Sequence, residues 1–183
     1  MPLVVRFKQL FKKMHWAFLI SLLNLLVWNT VYAENSLRLS KVNKLKASYL
    51  YNFTKFIEWQ NLGSDELSPS IRICVDNTSY LFQFLEQLVV GQRVGKLKQT
   101  LEILPVETAS GCELLFVSEG SKKITRQLDN TVIVADSASI TFPGIAVVFY
   151  IKKSKLRFEI DLKKINSLNV VVSSELLKLA SIK

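Results

Sequence analysis

Short apolar runs that alternate with helical segments are the feature that most constrains how this chain can fold. Three of the runs, ICV, LLFVS and TVIVA, are almost free of polar residues. Such runs are typical of strands that are buried on both faces of a sheet. Strands that alternate with helices usually form a parallel or mixed sheet covered by those helices. The sequence therefore predicts one α/β domain whose mixed, mostly parallel sheet has helices on both faces.

The predicted elements follow one another without an internal repeat or a linker. Helices are predicted at 42–59, 79–90, 121–128 and 161–168, with a last helix capped by Ser173, and strands at 71–75, 100–106, 112–118, 131–135, 145–151, 156–160 and 169–172. In the strand 156–160, apolar residues alternate with Arg157 and Glu159, which predicts one solvated face. The preceding strand and the polar loop KKSK complete a β-hairpin near the C-terminus, which the last helix follows.

The helix at 42–59 is unusually aromatic. Its apolar residues recur at steps of three and four, which predicts an amphipathic helix; they are Val42, Leu45, Tyr49, Phe53, Phe56 and Ile57. Tyr51 and Asn52 lie outside that stripe. Because aromatic side chains often anchor protein interfaces, this helix is a candidate partner surface. Packing in the core is the alternative.

The N-terminus has the order of a secretory signal peptide. Four basic residues precede an apolar run from Trp16 to Trp28, and Val31-Tyr32-Ala33 suits a cleavage site before Glu34. The run is shorter than the roughly 20 residues that span a bilayer, which favours cleavage over an uncleaved anchor. We therefore expect a signal peptide at 1–33, a domain at 34–183, and export to the periplasm.

Loss of the leader changes which functions the composition allows. The formal net charge falls from +9 to +5, because the leader carries four cations and no acidic residue. Since the remaining cations are dispersed, nucleic acid is not an expected partner. The only histidine, His15, also leaves. A histidine-based triad, general base or zinc site is thereby excluded from the exported chain.

Cys74 and Cys112 lie in or at the start of predicted strands. Two thiols in an oxidising compartment favour a disulfide, and two buried, unpaired thiols are the alternative. No glycine-rich phosphate-binding motif is present. Five carboxylates could in principle form an acid–base pair, but their spacing specifies none. They are Glu58, Asp76, Asp136, Glu159 and Asp161. Arg157 and Glu159 favour a solvated ion pair, although an arginine there could also hold an anionic group of a partner.

Several segments resemble the YfiR family, also called the DUF4154 domain. The resemblance rests on KLKASYLYNFTKFIEW, IRICVDN, GCELLFVSE, TVIVADSASIT and LRFEIDLKKINSLNVVVSSELLKLAS, in the order of the family pattern. Cys74 and Cys112 match the cysteines of the family's I-C-V and C-x-I-L-F-I-S segments. The protein that gives the family its name has a second cysteine pair, which this chain lacks. The resemblance therefore does not imply redox control of that protein's kind. Gln60, Asp161 and Pro143-Gly144 also differ from common family residues.

The resemblance implies a periplasmic repressor of an inner-membrane diguanylate cyclase, which binds the sensor region of the cyclase. It also implies a homodimer and an outer-membrane lipoprotein that can remove the repressor. No catalytic residue, metal ligand or cofactor is expected. A periplasmic sensor of an amino acid or nucleotide is the alternative, and an envelope enzyme using carboxylates is a third hypothesis. The expected partner contacts are Tyr51, Asn52, Lys55, Trp59, Arg157 and Glu159.

Overall fold

The computed structural model describes residues 41–60, 70–76, 80–107, 111–119, 121, 128 and 130–183. The predicted signal peptide and its cleavage site between Ala33 and Glu34 lie outside these residues. Most of the helix predicted at 121–128 also lies outside them. No helix of the described part is long and apolar enough to cross a bilayer.

An eight-stranded mixed sheet forms the centre of the domain. Its strands are β2 (Ile71–Val75), β3 (Arg93–Val94), β4 (Gln99–Pro105), β5 (Leu114–Val117), β6 (Val132–Ala135), β7 (Ile145–Lys152), β8 (Lys155–Ile160) and β10 (Ser181–Ile182). They are arranged in the order β10-β8-β7-β6-β5-β2-β4-β3. Only the β3–β4 and β7–β8 pairs are antiparallel. The predicted α/β class, the mixed, mostly parallel sheet and the C-terminal hairpin and helix are confirmed. Helices on both faces stay a prediction, because every described helix packs on the same face.

The described residues also form four helices and a small second sheet. The helices are α1 (41–56), α2 (Tyr80–Val89), α3 (Leu162–Ser167) and α4 (Ser174–Leu179). Ser173 caps α4 as predicted, since its side chain accepts a hydrogen bond from the backbone N–H of Leu176. Strands β1 (Ile57–Trp59) and β9 (Val170–Val172) form a separate antiparallel pair.

The prediction that α1 continues to residue 59 was wrong. The chain leaves the helix after residue 56, and Ile57 and Trp59 then alternate with the exposed Glu58 along β1. Ile57 pairs with Val172, and Trp59 with Val170. A partner strand more than a hundred positions away thus ends the helix, and periodicity within α1 carries no signal of that partner.

The buried face of α1 is also rotated from the predicted stripe. Ala47, Leu50, Phe53 and Thr54 are buried, whereas the side chain of Leu45 is 44% exposed. Alanine and threonine are small, so this face lets the helix backbone approach the sheet closely. Larger aromatic side chains of α1 then pack at the edges of the contact, among them Tyr49, Tyr51 and Phe56.

Each face of the main sheet has its own apolar core. The first core receives at least one fully or nearly fully buried side chain from every described helix, among them Leu50, Leu85, Ile165 and Leu176. The second core surrounds the two cysteines and contains alternate residues of β5 and β6. Leu128, at the end of the helix predicted at 121–128, packs against this second core.

Candidate binding surfaces

The two cysteines form the predicted disulfide. Cys74 in β2 is bonded to Cys112, which lies two residues before β5, and their Cα atoms are 5.8 Å apart. Both residues are buried in the second core. The bond therefore joins β2 covalently to the segment that precedes β5 inside the domain.

A buried carboxylate lies beside the disulfide. Glu113 is 7% exposed and accepts three hydrogen bonds from Arg72, from the backbone N, Nε and Nη2 at 2.7, 3.0 and 2.7 Å. The Trp59 Nε1–H donates to the backbone oxygen of Glu113 at 3.1 Å. Glu113, directly before β5, thus connects β1 and β2 to that strand. Sequence reasoning missed this network, although one charge within each of two apolar runs is the signal that predicts such a pair.

A polar surface on α1 carries three of the predicted partner contacts. Tyr51 is half-buried, and its hydroxyl donates to Gln92 Oε1 at 3.0 Å. The ammonium group of the exposed Lys55 lies 4.0 Å from the centroid of the Tyr51 ring. Asn52 is half-buried beside them. We call Tyr51, Asn52, Lys55 and Gln92 the α1 surface.

The remaining predicted contacts lie elsewhere. Trp59 is buried in the first core and hydrogen-bonded, so it is not part of the α1 surface. Arg157 is exposed on β8, on the sheet face opposite to its buried neighbours Leu156 and Phe158. Arg157 and Glu159 form no ion pair with each other, contrary to the prediction of a solvated pair. The structure therefore does not bring the contacts on α1 and β8 together, since they lie on opposite faces of the sheet.

Polar residues also collect at the carboxyl ends of the parallel strands. Asp76, Ser118 and Asp136 directly follow β2, β5 and β6. Lys46 of α1 forms an ion pair with Asp136 at this edge. The strand order reverses at β2, because the chain places β4 on one side of it and β5 on the other. Open α/β sheets commonly bind ligands at such a reversal.

The model of the DUF4154 family, described as YfiR/HmsC-like, matches residues 43–181. The chain belongs to this family. The match extends from α1 into β10 and so includes every surface described above. YfiR/HmsC-like proteins are periplasmic regulators, and the family is a non-catalytic one. No curated protein matches the chain.

Within this YfiR/HmsC-like domain, the Lys46–Asp136 pair is expected to fix α1 to the sheet. The two side chains are 12% and 31% exposed, so the pair is largely shielded from water. We expect Asp136→Asn to lower the free energy of unfolding by about 1–3 kcal/mol, because Lys46 keeps its charge and loses its partner. Urea denaturation followed by circular dichroism measures this loss.

Glu58→Gln is the matched control, since it breaks an exposed pair with Lys96 whose side chains are 46% and 83% exposed. Such a pair contributes about 0–1 kcal/mol. Equal losses in the two variants would contradict the role given to Lys46 and Asp136.

Proposed function

We propose that this protein is a periplasmic, non-enzymatic regulator that restrains an inner-membrane diguanylate cyclase. It would do so by binding the periplasmic sensor region of the cyclase. The observation that carries the proposal is the YfiR/HmsC-like match over residues 43–181, together with the signal-like leader. A homodimer and a competing outer-membrane lipoprotein belong to the same proposal.

The restraint is a shift between two conformations of the cyclase. A bound regulator favours the inactive conformation only by binding it more tightly than the active one. A tenfold preference corresponds to about 1.4 kcal/mol, and a nearly complete shift in either direction needs about 5.5 kcal/mol. A modest loss of contact energy at the interface would therefore release the cyclase.

The α1 surface is the proposed site of this contact. Its polar groups are held in place before binding, since Tyr51 is fixed by Gln92 and covered by Lys55. Fixed side chains lose little conformational freedom when a partner binds, which favours affinity. Tyrosine is also typical of the residues that contribute most to interfaces. Arg157 and Glu159 on β8 would form a second, separate contact.

Deletion of the gene is expected to raise cellular cyclic di-GMP, because the cyclase loses its inhibitor. Expression of the leader-bearing gene should restore the original level, whereas a gene lacking codons 2–33 should not. Cyclic di-GMP is measured by mass spectrometry of cell extracts under conditions in which the protein is detected by immunoblot. An unchanged level after deletion would contradict the proposed cyclase partner, and rescue by the leaderless gene would contradict the periplasmic location.

Substitution on the α1 surface tests the proposed contact. We expect Tyr51→Ala with Lys55→Ala to raise the dissociation constant for the sensor region at least tenfold, about 1.4 kcal/mol, since central tyrosines commonly contribute this much. Isothermal titration calorimetry measures the affinity. The control, Lys163→Ala, removes an exposed cation from α3 and should bind like the wild type. Unchanged binding by a folded double variant would place the interface elsewhere.

The carboxyl edge of the sheet favours a second candidate function, the sensing of a small ligand. Asp76, Asp136 and Lys46 would provide charged groups for an amino acid or nucleotide where the strand order reverses. The fluorescence of Trp59 would report on a different part of the domain, because its side chain contacts Glu113 just before the amino end of β5. Thermal-shift measurements with panels of amino acids and nucleotides are therefore the better test. A panel that leaves the melting temperature unchanged would count against this function.

A further inference from the structure

A basic groove lies between the β7–β8 hairpin and the chain that leaves α4. The groove has a volume of about 430 Å³. Its lining residues are Tyr150, Lys152, Lys153, Lys155, Arg157, Lys178, Leu179, Ala180 and Ser181. Five of these nine residues are cations, and none carries a carboxylate. We call this site the hairpin groove.

The strand register brings most of these cations onto one side of the hairpin. Lys152 pairs with Lys155, and Tyr150 pairs with Arg157. Like charges directly opposite each other destabilise a strand pair. The turn between them places Lys153 at φ 50° and Ser154 at φ 59°, in the left-handed region where glycine or asparagine is usual. Neither the pairing nor the turn is therefore a reason for lysines at these positions.

The charges of the groove lack compensating partners within the described part of the chain. Lys46, Arg72 and Lys96 each have an ion pair with a carboxylate. None of the five groove cations has one among the described residues. The five side chains are exposed, so their ammonium and guanidinium groups remain available to a ligand. The uncompensated charge favours a ligand with several negative charges.

Neutral hydrogen-bonding groups lie among these cations. The Tyr150 hydroxyl and Ser181 Oγ are 2.6 Å apart, and either oxygen could be the donor. Lysine ammonium groups bind phosphate oxygens as point charges, arginine adds a planar pair of donors, and hydroxyls donate to the same oxygens. The exposed Leu179, 63% accessible, adds an apolar contact at the rim.

We infer that the hairpin groove binds a phosphate group carried by an anionic ligand. The ligand is either a soluble phosphate-bearing molecule or the headgroup of an anionic phospholipid, since both present the same oxygens. This site is separate from the α1 surface, because the side chains of the paired residues Tyr150 and Arg157 lie on the sheet face opposite to α1. The inference does not depend on the proposed cyclase partner.

The test uses protein purified after expression of the full-length gene. Calorimetry at low ionic strength measures the binding of pyrophosphate. Sedimentation measures binding to lipid vesicles. One set of vesicles contains phosphatidylglycerol mixed into phosphatidylcholine, and the other contains phosphatidylcholine alone. We expect Lys152→Gln with Lys155→Gln to weaken binding at least tenfold, since the variant removes two of the five cations that attract the phosphate oxygens.

Arg93→Gln with Lys96→Gln is the matched control. It removes the same charge at or beside β3, on the opposite edge of the sheet. Circular dichroism verifies that both variants fold. Hairpin-dependent binding of pyrophosphate supports a soluble ligand, and hairpin-dependent binding only to phosphatidylglycerol vesicles supports the headgroup. The inference is overturned if neither probe binds, if the control loses as much affinity, or if hexaglutamate binds as tightly as pyrophosphate, which would indicate an acidic protein segment.

Discussion

Loss of the Cys74–Cys112 disulfide is expected to lower the free energy of unfolding by roughly 4 kcal/mol. The two cysteines are separated by 38 positions, and the segment between them includes α2, β3 and β4. The bond limits how far this segment can expand in the unfolded chain, and it thereby lowers the entropy of the unfolded state. For a domain of this size we expect the melting temperature to fall by about 10 °C.

The measurement compares thermal melts of the wild type, with and without reductant, and of Cys74→Ser with Cys112→Ser. Reductant should lower the melting temperature of the wild type and leave that of the double variant unchanged. Free-thiol titration of the denatured wild type should find two thiols only after reduction. An equal number of thiols before and after reduction would show that the bond is absent from the purified protein.

Phe53→Ala is expected to lower the free energy of unfolding by about 3–5 kcal/mol. Phe53 is fully buried on α1, and its ring packs edge-on to Phe158 and stacks on Phe149, with centroids 5.2 and 6.0 Å apart. Alanine leaves a cavity where α1 meets the hairpin strands β7 and β8. The loss therefore includes both the transfer free energy of the ring and the contacts of the two other rings.

Leu45→Ala is the control, because it also shortens an apolar side chain of α1 to alanine but at an exposed position. Such a surface change should alter the free energy of unfolding by no more than about 0.5 kcal/mol. Urea denaturation of the three proteins gives both differences. If Leu45→Ala destabilises the domain as much as Phe53→Ala, the rotated buried face of α1 is incorrect.

Most strands of the main sheet could be predicted from sequence, because their signal is local. The runs in β5 and β6 are apolar throughout, and that in β2 is apolar except for Arg72. Alternation along β8 predicts its solvated face without knowledge of a partner. The two-residue strands β3 and β10 were missed. A strand of two residues is too short for any periodicity, so only its hydrogen-bonded neighbour identifies it.

Less of the candidate sites could be predicted in this way. Tyr51 and Lys55 were expected on a surface of α1, but their neighbour Gln92 comes from the chain beyond α2. Trp59 was expected on the same helix as a further contact, and the pairing of β1 with β9 instead placed it in the core. The KKSK loop was expected, whereas its proximity to Lys178 and Ser181 was not.

By itself, the sequence determined the alternating order of helices and strands, the hairpin, the cap at Ser173 and the family to which the chain belongs. These features depend on residues within a few positions of one another, or on the order of motifs along the chain. Only the tertiary structure decided which face of α1 is buried, where β9 pairs, and that Glu113 meets Arg72. The physical reason is that strand pairing and packing depend on residues far apart in the chain, and the energy of such contacts leaves no period in the sequence.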